Sequence, residues 1–561
     1  KVSFCSEMQK FPKLNAGDKK IVKNSGSQIN PGAVHSEPID SEVITDRSGL
    51  TIETKLEENQ DNMTIDEREY LVADDHASMS EPSTSAYSRR RLLLLVAAMC
   101  GIQVCYAVQI GHGSATLELL GMPTRWVSVA WLAGPLSGLI VQPLVGVLSD
   151  ACKSPLGRRR PFLLSGCVLT TIALLLFSNS SSIGMYLGDS VLPQEAKTES
   201  NTGTEIGLAI GVFSFFLLDF SIQAIQGPLR ALITDVLPPQ QHPQGNSYLA
   251  LMVGAGNLVG SWLGSLNLYR YFPFFRDNVQ ILFALAALVL CVAVSITVVS
   301  VKEESTEDNT DGTLNQNQTP RTSLNEAWTL MRNAPRPFWQ VFIVQFFSWY
   351  GFFTLFVYTS IWVGRNVYLG DSGVQATSDQ RDLYAEGVRL GNIGLSASAL
   401  LTIIYASQLP SLVEYFGEGK MFFFSLLVEG AALSSLVFLR GERGQQSPSY
   451  FLRVATVFNL GVLGISWASS MSIPWSLIGE AVQRTNPEQV GLFTTIFNAS
   501  QSGPQMLVSF ISPFIVKLTN DVSFVMLSGG LMAFTGALLA VYLKVGFAKQ
   551  SHEYRQANGA A

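Results

Sequence analysis

The most informative polar residues of this sequence form a stripe within an otherwise apolar segment. Asp219, Gln223, Gln226 and Arg230 fall at positions i, i+4, i+7 and i+11, a spacing that places all four on one face of a helix. Eleven residues span about 16 Å along a straight helix axis, so we expect Asp219 and Arg230 not to pair directly unless the helix bends between them. The stripe cannot face lipid, because a charge at mid-membrane depth costs at least ~2.5–3.5 kcal/mol.

The side chains of this stripe suit a polyol and a proton. Two carboxamides and a guanidinium offer fixed donors and acceptors to sugar hydroxyl groups, so we assign Gln223, Gln226 and Arg230 to substrate binding. A buried carboxyl group favours its protonated form and can bind and release a proton, which makes Asp219 the candidate proton-coupling residue. A structural polar network inside a helix bundle is the alternative.

A second stripe lies in a later apolar segment. Asn498, Gln501 and Gln505 fall at positions i, i+3 and i+7 and therefore share a helix face. We predict that they form the facing wall of the same substrate cavity. Hydrogen bonding between helices is an equally open interpretation.

The first apolar segment adds one further candidate. Gln109, His112 and Thr116 share a helix face, and we place Gln109 in the substrate-binding set. His112 is interpreted as a structural residue rather than a proton carrier. Glu118 lies near the end of the segment and is expected to be solvated.

A charged motif follows the second apolar segment and indicates a gate. Gly146 is predicted to permit close helix approach, and Asp150 stands at a helix end where arginines can pair with it. The gate set continues after a short turn with Gly157, Arg158, Arg159 and Arg160. Such a pair can hold one state of a carrier closed and release in the other. The alternative is a plain cationic anchor on the cytoplasmic side.

These residues are embedded in a chain with the composition of a membrane protein. Of its 561 residues, 47% are hydrophobic and 14% are charged, against roughly 25% charged residues in soluble proteins. A bilayer-spanning helix needs about 20 mainly apolar residues, and that criterion predicts twelve spans. They lie near residues 92–111, 127–148, 162–178, 206–233, 247–267, 280–300, 338–358, 391–409, 421–439, 452–472, 489–511 and 523–545.

The spans divide into two halves, so the sequence predicts an all-α membrane protein of twelve transmembrane helices in two six-helix bundles. Arginines before the first span and between spans two and three place both termini in the cytosol by the positive-inside rule. The predicted regions are a disordered cytoplasmic tail (1–90), an N-terminal bundle (91–301), a cytoplasmic linker (302–337), a C-terminal bundle (338–546) and a second cytoplasmic tail (547–561).

Several function classes are excluded. The sequence has no HExxH, GxSxG or P-loop motif, so we predict no enzyme activity, no metal site and no cofactor. The net charge of −6 argues against a nucleic-acid partner. The expected partners are a small sugar, protons and the lipid bilayer, with a monomer as the expected oligomeric state.

Long sequence words give the chain a family resemblance. The gate motif resembles the loop signature of the major facilitator superfamily. The words LLGMPTRW, WLAGPLSGLIVQPLVGVLSD, LGRRRPF, DFSIQAIQGPLRAL, VGRNVYLG, SIPWSLIGE and IFNASQSGPQMLVS resemble the plant sucrose transporters and the animal proton-associated sugar transporters. The resemblance covers nearly all of residues 92–545 and implies the major facilitator fold.

The resemblance also implies residue roles. In that family the fourth-span Asp is the proton site and the Arg eleven residues later serves sugar binding and coupling, roles that fall on Asp219 and Arg230. The implied activity is proton symport of sucrose, another disaccharide or a hexose, at the plasma membrane or the membrane of an acidic organelle.

The sequence departs from the plant pattern after span seven. Where plant members have D-T-D-W-M-G-R-E, this chain has Thr359, Ile361 and Asn366 at the acidic positions and keeps Arg365. Two alternatives to proton symport therefore stay open. One is a proton-independent sugar facilitator or effluxer, and the other is a transporter-like sugar sensor or scaffold.

Overall fold

The computed structural model describes residues 43–45, 51–53, 87–189, 205–301, 303, 332, 334–373, 376–442, 447–485 and 490–546. In the N-terminal unit, strands β1 (Val43–Thr45) and β2 (Thr51–Glu53) pair antiparallel, with Ile44 opposite Ile52. The rest of the predicted N-terminal tail, most of the linker and the C-terminal tail lie outside the described residues. Disorder in these segments stays a prediction.

All regular secondary structure in the described residues of the second unit is helical, and each predicted span coincides with a long helix. The twelve helices are α1 (Arg89–Leu95 and Ala97–Leu119, joined at a bend of 44°), α2 (Thr124–Asp150), α3 (Arg160–Leu187), α4 (Glu205–Val236), α5 (His242–Ser265), α6 (Asn278–Ser300), α7 (Arg336–Val367), α8 (Ser378–Phe416), α9 (Glu418–Phe438), α10 (Tyr450–Thr485), α11 (Val490–Thr519) and α12 (Ser523–Tyr542).

Nine of these helices are long and apolar enough to cross a membrane within the described residues, and ten when the two parts of α1 count as one span. Helices α5 and α11 are not among the ten. Both are rich in glycine, serine and carboxamide side chains, which lowers their mean hydropathy. The multi-span helical fold is confirmed. Of the twelve predicted spans, ten are long and apolar enough to cross a membrane within the described residues.

The helices pack mainly within two groups. In the first group α3 packs on α4, and α1 packs on α5 and α6; in the second, α8 packs on α10, and α12 packs on α7 and α9. The groups meet where α5 contacts α8, where α2 contacts α11, and where α1 contacts α7. Polar residues of α1, α2 and α11 therefore come close to the interface between the groups.

Three helices at this interface contain a π-helical turn. The turns are Gln109–Gly113 in α1, Ser137–Val141 in α2 and Val363–Val367 at the end of α7. Such turns interrupt the regular helix ladder and are frequent at functional sites. Just after the first of them, the Ser114 hydroxyl donates to the Val357 carbonyl at 2.6 Å, which ties α1 to α7.

The bundle has two ends, which we name by their loops. At the α1–α2 end lie the connections α1–α2, α7–α8 and α11–α12, and at the α2–α3 end lie α2–α3 and the start of α7. Along α2 and α11, contacts across the groups run from Ser128, which donates to the Ser509 carbonyl, to Gly138, where a Cβ would lie 3.8 Å from the Ser502 hydroxyl. Further towards the α2–α3 end, a Cβ at Gly146 would meet nothing within 4 Å. Helices α2 and α11 therefore meet near the α1–α2 end and diverge towards the α2–α3 end.

Candidate functional site

Asp219 lies in the middle of α4 and contacts α1. Its side chain is inside the bundle, with the residue 3% exposed, and the Gln109 amide donates to its Oδ2 at 3.1 Å. No cation forms an ion pair with this carboxyl group among the described residues. The structure thus brings together two residues that the sequence placed on separate helices, and the π-helical turn of α1 begins at Gln109.

The carboxamides around Asp219 have unused acceptor capacity. The Oε1 atoms of Gln109, Gln223 and Gln226 are buried and have no hydrogen-bond partner among the described residues. Gln223 uses its Nε2 to donate to the Tyr106 hydroxyl at 3.3 Å. An unsatisfied buried acceptor costs about 1–3 kcal/mol, so these oxygens fit hydroxyl groups of a bound ligand. Tyr106 was missed by the sequence reasoning, although it precedes Gln109 by one helical turn.

Exposure rises along the α4 stripe towards the α2–α3 end. Asp219 is buried, Gln223 and Gln226 are half-buried, and Arg230 is exposed. Arg230 forms no salt bridge among the described residues. Helix α4 continues through Pro228, and no ion pair joins the two ends of the stripe.

The residues predicted to form the facing wall of the substrate cavity lie on α11, and Gln505 lies next to α2. Asn498, Gln501 and Gln505 are half-buried, and the Oε1 of Gln505 lies 3.9 Å from the position that a Cβ at Gly134 would take. None of the three hydrogen-bonds to the α4 stripe in this conformation, so their role in substrate binding stays a prediction.

The predicted gate arginines form a compact ionic cluster at the α2–α3 end. The Arg159 guanidinium lies 2.6 Å from the Asp150 carboxylate at the end of α2 and 2.8 Å from that of Asp235 at the end of α4. Arg158 also reaches Asp235, at 3.3 Å. Arg159 further donates to the Ser149 hydroxyl at 2.6 Å. Burial alone would lower the pKa of Arg159, but its bonds to Asp235 and Asp150 outweigh that effect and raise it.

Glu303, just beyond α6, completes this cluster. Its carboxylate accepts hydrogen bonds from the backbone N–H groups of Arg159 and Arg160, at 2.9 and 3.1 Å, and a Cβ at Gly157 would lie 2.5 Å from it. Gly157 also has φ +101°, a left-handed backbone conformation that favours glycine. Asp235 and Glu303 were missed by the sequence reasoning. Every ion pair of the three arginines in the described residues joins elements of the first helix group.

The expectation for Gly146 differs from the structure. No neighbour lies within 4 Å of the Cβ position at this residue, so the predicted close helix approach is absent in this conformation. The reason is that α2 and α11 have already diverged at this depth.

Glu118, at the end of α1, is buried rather than solvated, and that expectation is wrong. The residue is 3% exposed because the α7–α8 connection and α8 cover it. Its carboxylate accepts hydrogen bonds from Tyr384 at 2.7 Å and Ser372 at 3.0 Å, lies 3.4 Å from the Arg365 guanidinium, and also accepts one from Thr124. This cluster links the two helix groups at the α1–α2 end.

His112 is likewise part of the interface between the groups. Its Nε2 lies 3.0 Å from the Gly264 carbonyl on α5 and 3.3 Å from the Asn392 amide nitrogen on α8. The ring is buried among these groups, in keeping with the structural role predicted for it.

Comparisons with known proteins agree with this architecture. A family model described as Major Facilitator Superfamily matches residues 204–501, more than half of the chain. The sucrose transport protein SUT2 of Oryza sativa subsp. indica is 31% identical over 442 residues, covering 75% of this chain and 85% of that protein. The sucrose transport protein SUC4 of Arabidopsis thaliana is 28% identical over 479 residues, covering 82% and 91%.

Solved structures show the same fold at low identity. A variant of the nucleoside transporter NupG aligns with a TM-score of 0.58 at 12% identity, over 81% of this chain and 99% of that one. The xylose transporter XylE from E. coli, in an inward open conformation, aligns with a TM-score of 0.51 at 15% identity, over 80% and 94%.

Proposed function

Because the chain belongs to the Major Facilitator Superfamily and, within it, to the family of the sucrose transport proteins, we propose that it is a proton-coupled sugar symporter that works by alternating access. The transported sugar is sucrose, another disaccharide or a hexose. The names of the relatives support the substrate class, and the arrangement around Asp219 supports the coupling to protons.

One observation carries the proposal. In the part of the chain that the structure describes, a carboxyl group without a cationic partner is hydrogen-bonded to Gln109 and shares a helix face with Gln223 and Gln226, and the carboxamide oxygens of all three glutamines have no hydrogen-bond partner. An unpaired carboxylate inside a membrane costs several kcal/mol, so Asp219 holds a proton in this conformation. The free acceptors of Gln109, Gln223 and Gln226 can each receive a sugar O–H. Proton site and sugar site are therefore adjacent.

The proposed cycle uses both ends of the bundle. The outer side is the α1–α2 end, which the Glu118 cluster closes in this conformation, and the cytoplasmic side is the α2–α3 end. In the outward-open state Asp219 binds a proton and the carboxamides bind the sugar. After the bundle reorients, water reaches the site from the cytoplasm, the proton leaves Asp219 for that water, and the sugar is released.

The location and assembly follow the same scheme. Cytosolic termini, a monomeric carrier, and residence in the plasma membrane or an acidic organelle are part of the proposal. The carrier faces lipid with exposed apolar side chains such as Val299 and Leu518, which are 83% and 87% exposed in the isolated protein.

Uptake into proteoliposomes tests this function. Labelled sucrose, maltose and glucose are offered with and without an imposed pH gradient, acidic outside. We expect accumulation above equilibrium of one of these sugars only with the gradient, and loss of that accumulation in Asp219→Asn with downhill exchange retained. Uptake that is indifferent to the gradient, and unchanged in Asp219→Asn, indicates a facilitator instead. Glu386→Gln serves as the control, because this side chain is 51% exposed and its ion pair is with Arg389 on the same helix.

A further inference from the structure

The second helix group contains a buried carboxyl group that the proposed cycle does not use. Glu429 stands near the middle of α9, roughly 15 Å from either helix end at 1.5 Å per residue, and is 0% exposed. Its Oε2 accepts a hydrogen bond from the Ser348 hydroxyl on α7 at 2.8 Å. Its Oε1 is buried and has no hydrogen-bond partner within the described residues.

No opposite charge compensates this carboxyl group. Helices α7, α8, α10 and α12 pack against α9, and none of their described side chains forms a salt bridge with Glu429. Within α9 itself, the other charged residues are Glu418 and Lys420, which lie in its first turn. Tyr350 on α7 contacts Ser528, and no cation pairs with Glu429 in the part of the chain that the structure describes. An ionised carboxylate in this place would be unpaired at mid-membrane depth, so Glu429 holds a proton in this conformation.

Polar groups of α7 and α10 lie next to the Glu429 carboxyl group. The Ser348 hydroxyl lies 3.0 Å from that of Ser470 on α10, and Gln345 donates to the Ser470 carbonyl at 3.1 Å. The Oε1 of Gln345 and the Nε1 of Trp349 are buried and find no hydrogen-bond partner in the described part of the chain. A chain of hydroxyl and amide groups thus runs from Glu429 to α10, and its unused donor and acceptor atoms fit water or a hydroxyl group.

Glycine residues of α7 and α12 lie close to the Glu429 carboxyl group. A Cβ at Gly351 on α7 would lie 2.5 Å from the Glu429 Oε1, and the same position is 3.2 Å from the Gly529 carbonyl on α12. A larger residue at position 351 would displace the carboxyl group from this place. The arrangement parallels the one in the first group, where the acid on α4 is hydrogen-bonded to the group's first helix, α1.

We propose that Glu429 is a second proton-binding site of this carrier, in the C-terminal half and separate from Asp219. It binds a proton in the conformation described and releases it to water when α7 and α10 move relative to α9. The proposal rests on the proposed transport function, but not on Asp219 being the coupling residue.

Infrared spectroscopy combined with uptake tests it on the reconstituted full chain. We expect wild-type protein at neutral pH to show a protonated-carboxyl C=O stretch that is lost in Glu429→Gln and retained in Asp219→Asn. This band should diminish when the pH is raised or when sugar is added. Glu429→Gln, which replaces the protonated acid with a group of similar shape, should flatten the pH profile of uptake. Ser348→Ala should displace that profile without abolishing it.

Two results overturn the proposal, and neither depends on Asp219. A missing Glu429 band at neutral pH shows that the carboxyl group is ionised. A band that survives alkaline pH and sugar, together with a wild-type pH profile in Glu429→Gln, shows a permanently protonated structural group. If uptake by the wild type ignores the pH gradient, the proposed symport fails, while the infrared band still reports the protonation of Glu429.

Discussion

The Arg365 guanidinium, at the end of α7, lies 3.4 Å from the carboxylate of Glu118 at the end of α1. This ion pair crosses between the two helix groups, and the carboxylate also accepts the Tyr384 hydroxyl from α8. Because Glu118 is buried, water screens these interactions little. The cluster therefore holds the α1–α2 end of the bundle closed.

We predict that Glu118→Gln opens this end. A hydrogen bond to a charged group contributes about 1.5–3 kcal/mol, and each 1.4 kcal/mol changes an equilibrium tenfold. The population open at the α1–α2 end should therefore rise roughly tenfold or more. A cysteine at Thr116, which is buried two residues before Glu118, should react faster with a membrane-impermeant maleimide in this background.

Asp371→Asn is the matched control for that experiment. Asp371 also lies near Arg365, at 3.5 Å, but its side chain is 49% exposed, and exposed ion pairs contribute only ~0–1 kcal/mol. Labelling should change little in this variant. Equal labelling rates in wild type and Glu118→Gln would show that the cluster does not hold the bundle closed.

The positions of the helices depend on local sequence pattern and were predicted from it. The burial of Glu118 depends on contacts with residues distant in sequence and was missed. Long apolar segments located the helices, but the apolar length underestimates them, since α8 extends over Ser378–Phe416 against a prediction of 391–409. Glu118 stands at a segment end, which indicates solvent, and the groups that bury it lie some 250 residues later. Glu429 could have been found, because a lone acid in an apolar segment is itself a functional signal.

The carboxamide oxygens near Asp219 make a prediction about substrate affinity. In Gln223→Leu and Gln226→Leu an acceptor for a sugar hydroxyl is lost, and a site built to hydrogen-bond a hydroxyl loses about 1–3 kcal/mol with each such group. The KM for sugar uptake should therefore rise roughly five- to hundredfold in each variant. Gln408→Leu, on an exposed position of α8, should leave the KM unchanged. A similar rise of the KM in this variant would show that the effect does not come from the loss of an acceptor near Asp219.

Arg159 should be the stabilising member of the arginine run. Its side chain is 7% exposed and pairs with Asp150 and Asp235, whereas the side chain of Arg158 is 39% exposed and pairs once. Removing one partner of a buried ionic cluster costs about 3–5 kcal/mol, and an exposed pair contributes ~0–1 kcal/mol. Thermal unfolding in detergent should therefore occur at clearly lower temperature in Arg159→Ala than in Arg158→Ala. Equal unfolding temperatures would contradict this assignment.

Asp521, between α11 and α12, gives a pH dependence of stability. Burial alone would raise its pKa, but hydrogen bonds from the backbone and hydroxyl of Ser523 and from Asn366, with the charge of Arg440, hold the pKa below its usual value. A carboxyl group with a lowered folded pKa stabilises the fold above the ordinary pKa of about 3.9, and the contribution disappears as the pH falls below it. Asp521→Asn should therefore lower the unfolding temperature at neutral pH.

Acidification supplies the internal check on Asp521. The difference between wild type and Asp521→Asn should shrink below pH ~4, whereas Glu386→Gln, at an exposed site, should unfold like the wild type at neutral pH. A difference that is constant from neutral to acidic pH would assign the effect to packing rather than to the charge.

Two glycines of the gate motif should behave in opposite ways when changed to alanine. At Gly157 the new Cβ meets Glu303 at 2.5 Å and the backbone has φ +101°, so Gly157→Ala should lower the unfolding temperature. At Gly146 the Cβ enters open space, so Gly146→Ala should unfold like the wild type. If α2 and α11 close on one another at this depth in the outward-open state, Gly146→Ala will still slow sugar uptake, because the Cβ obstructs that state alone. Normal uptake in Gly146→Ala would show that neither conformation requires a glycine at this position.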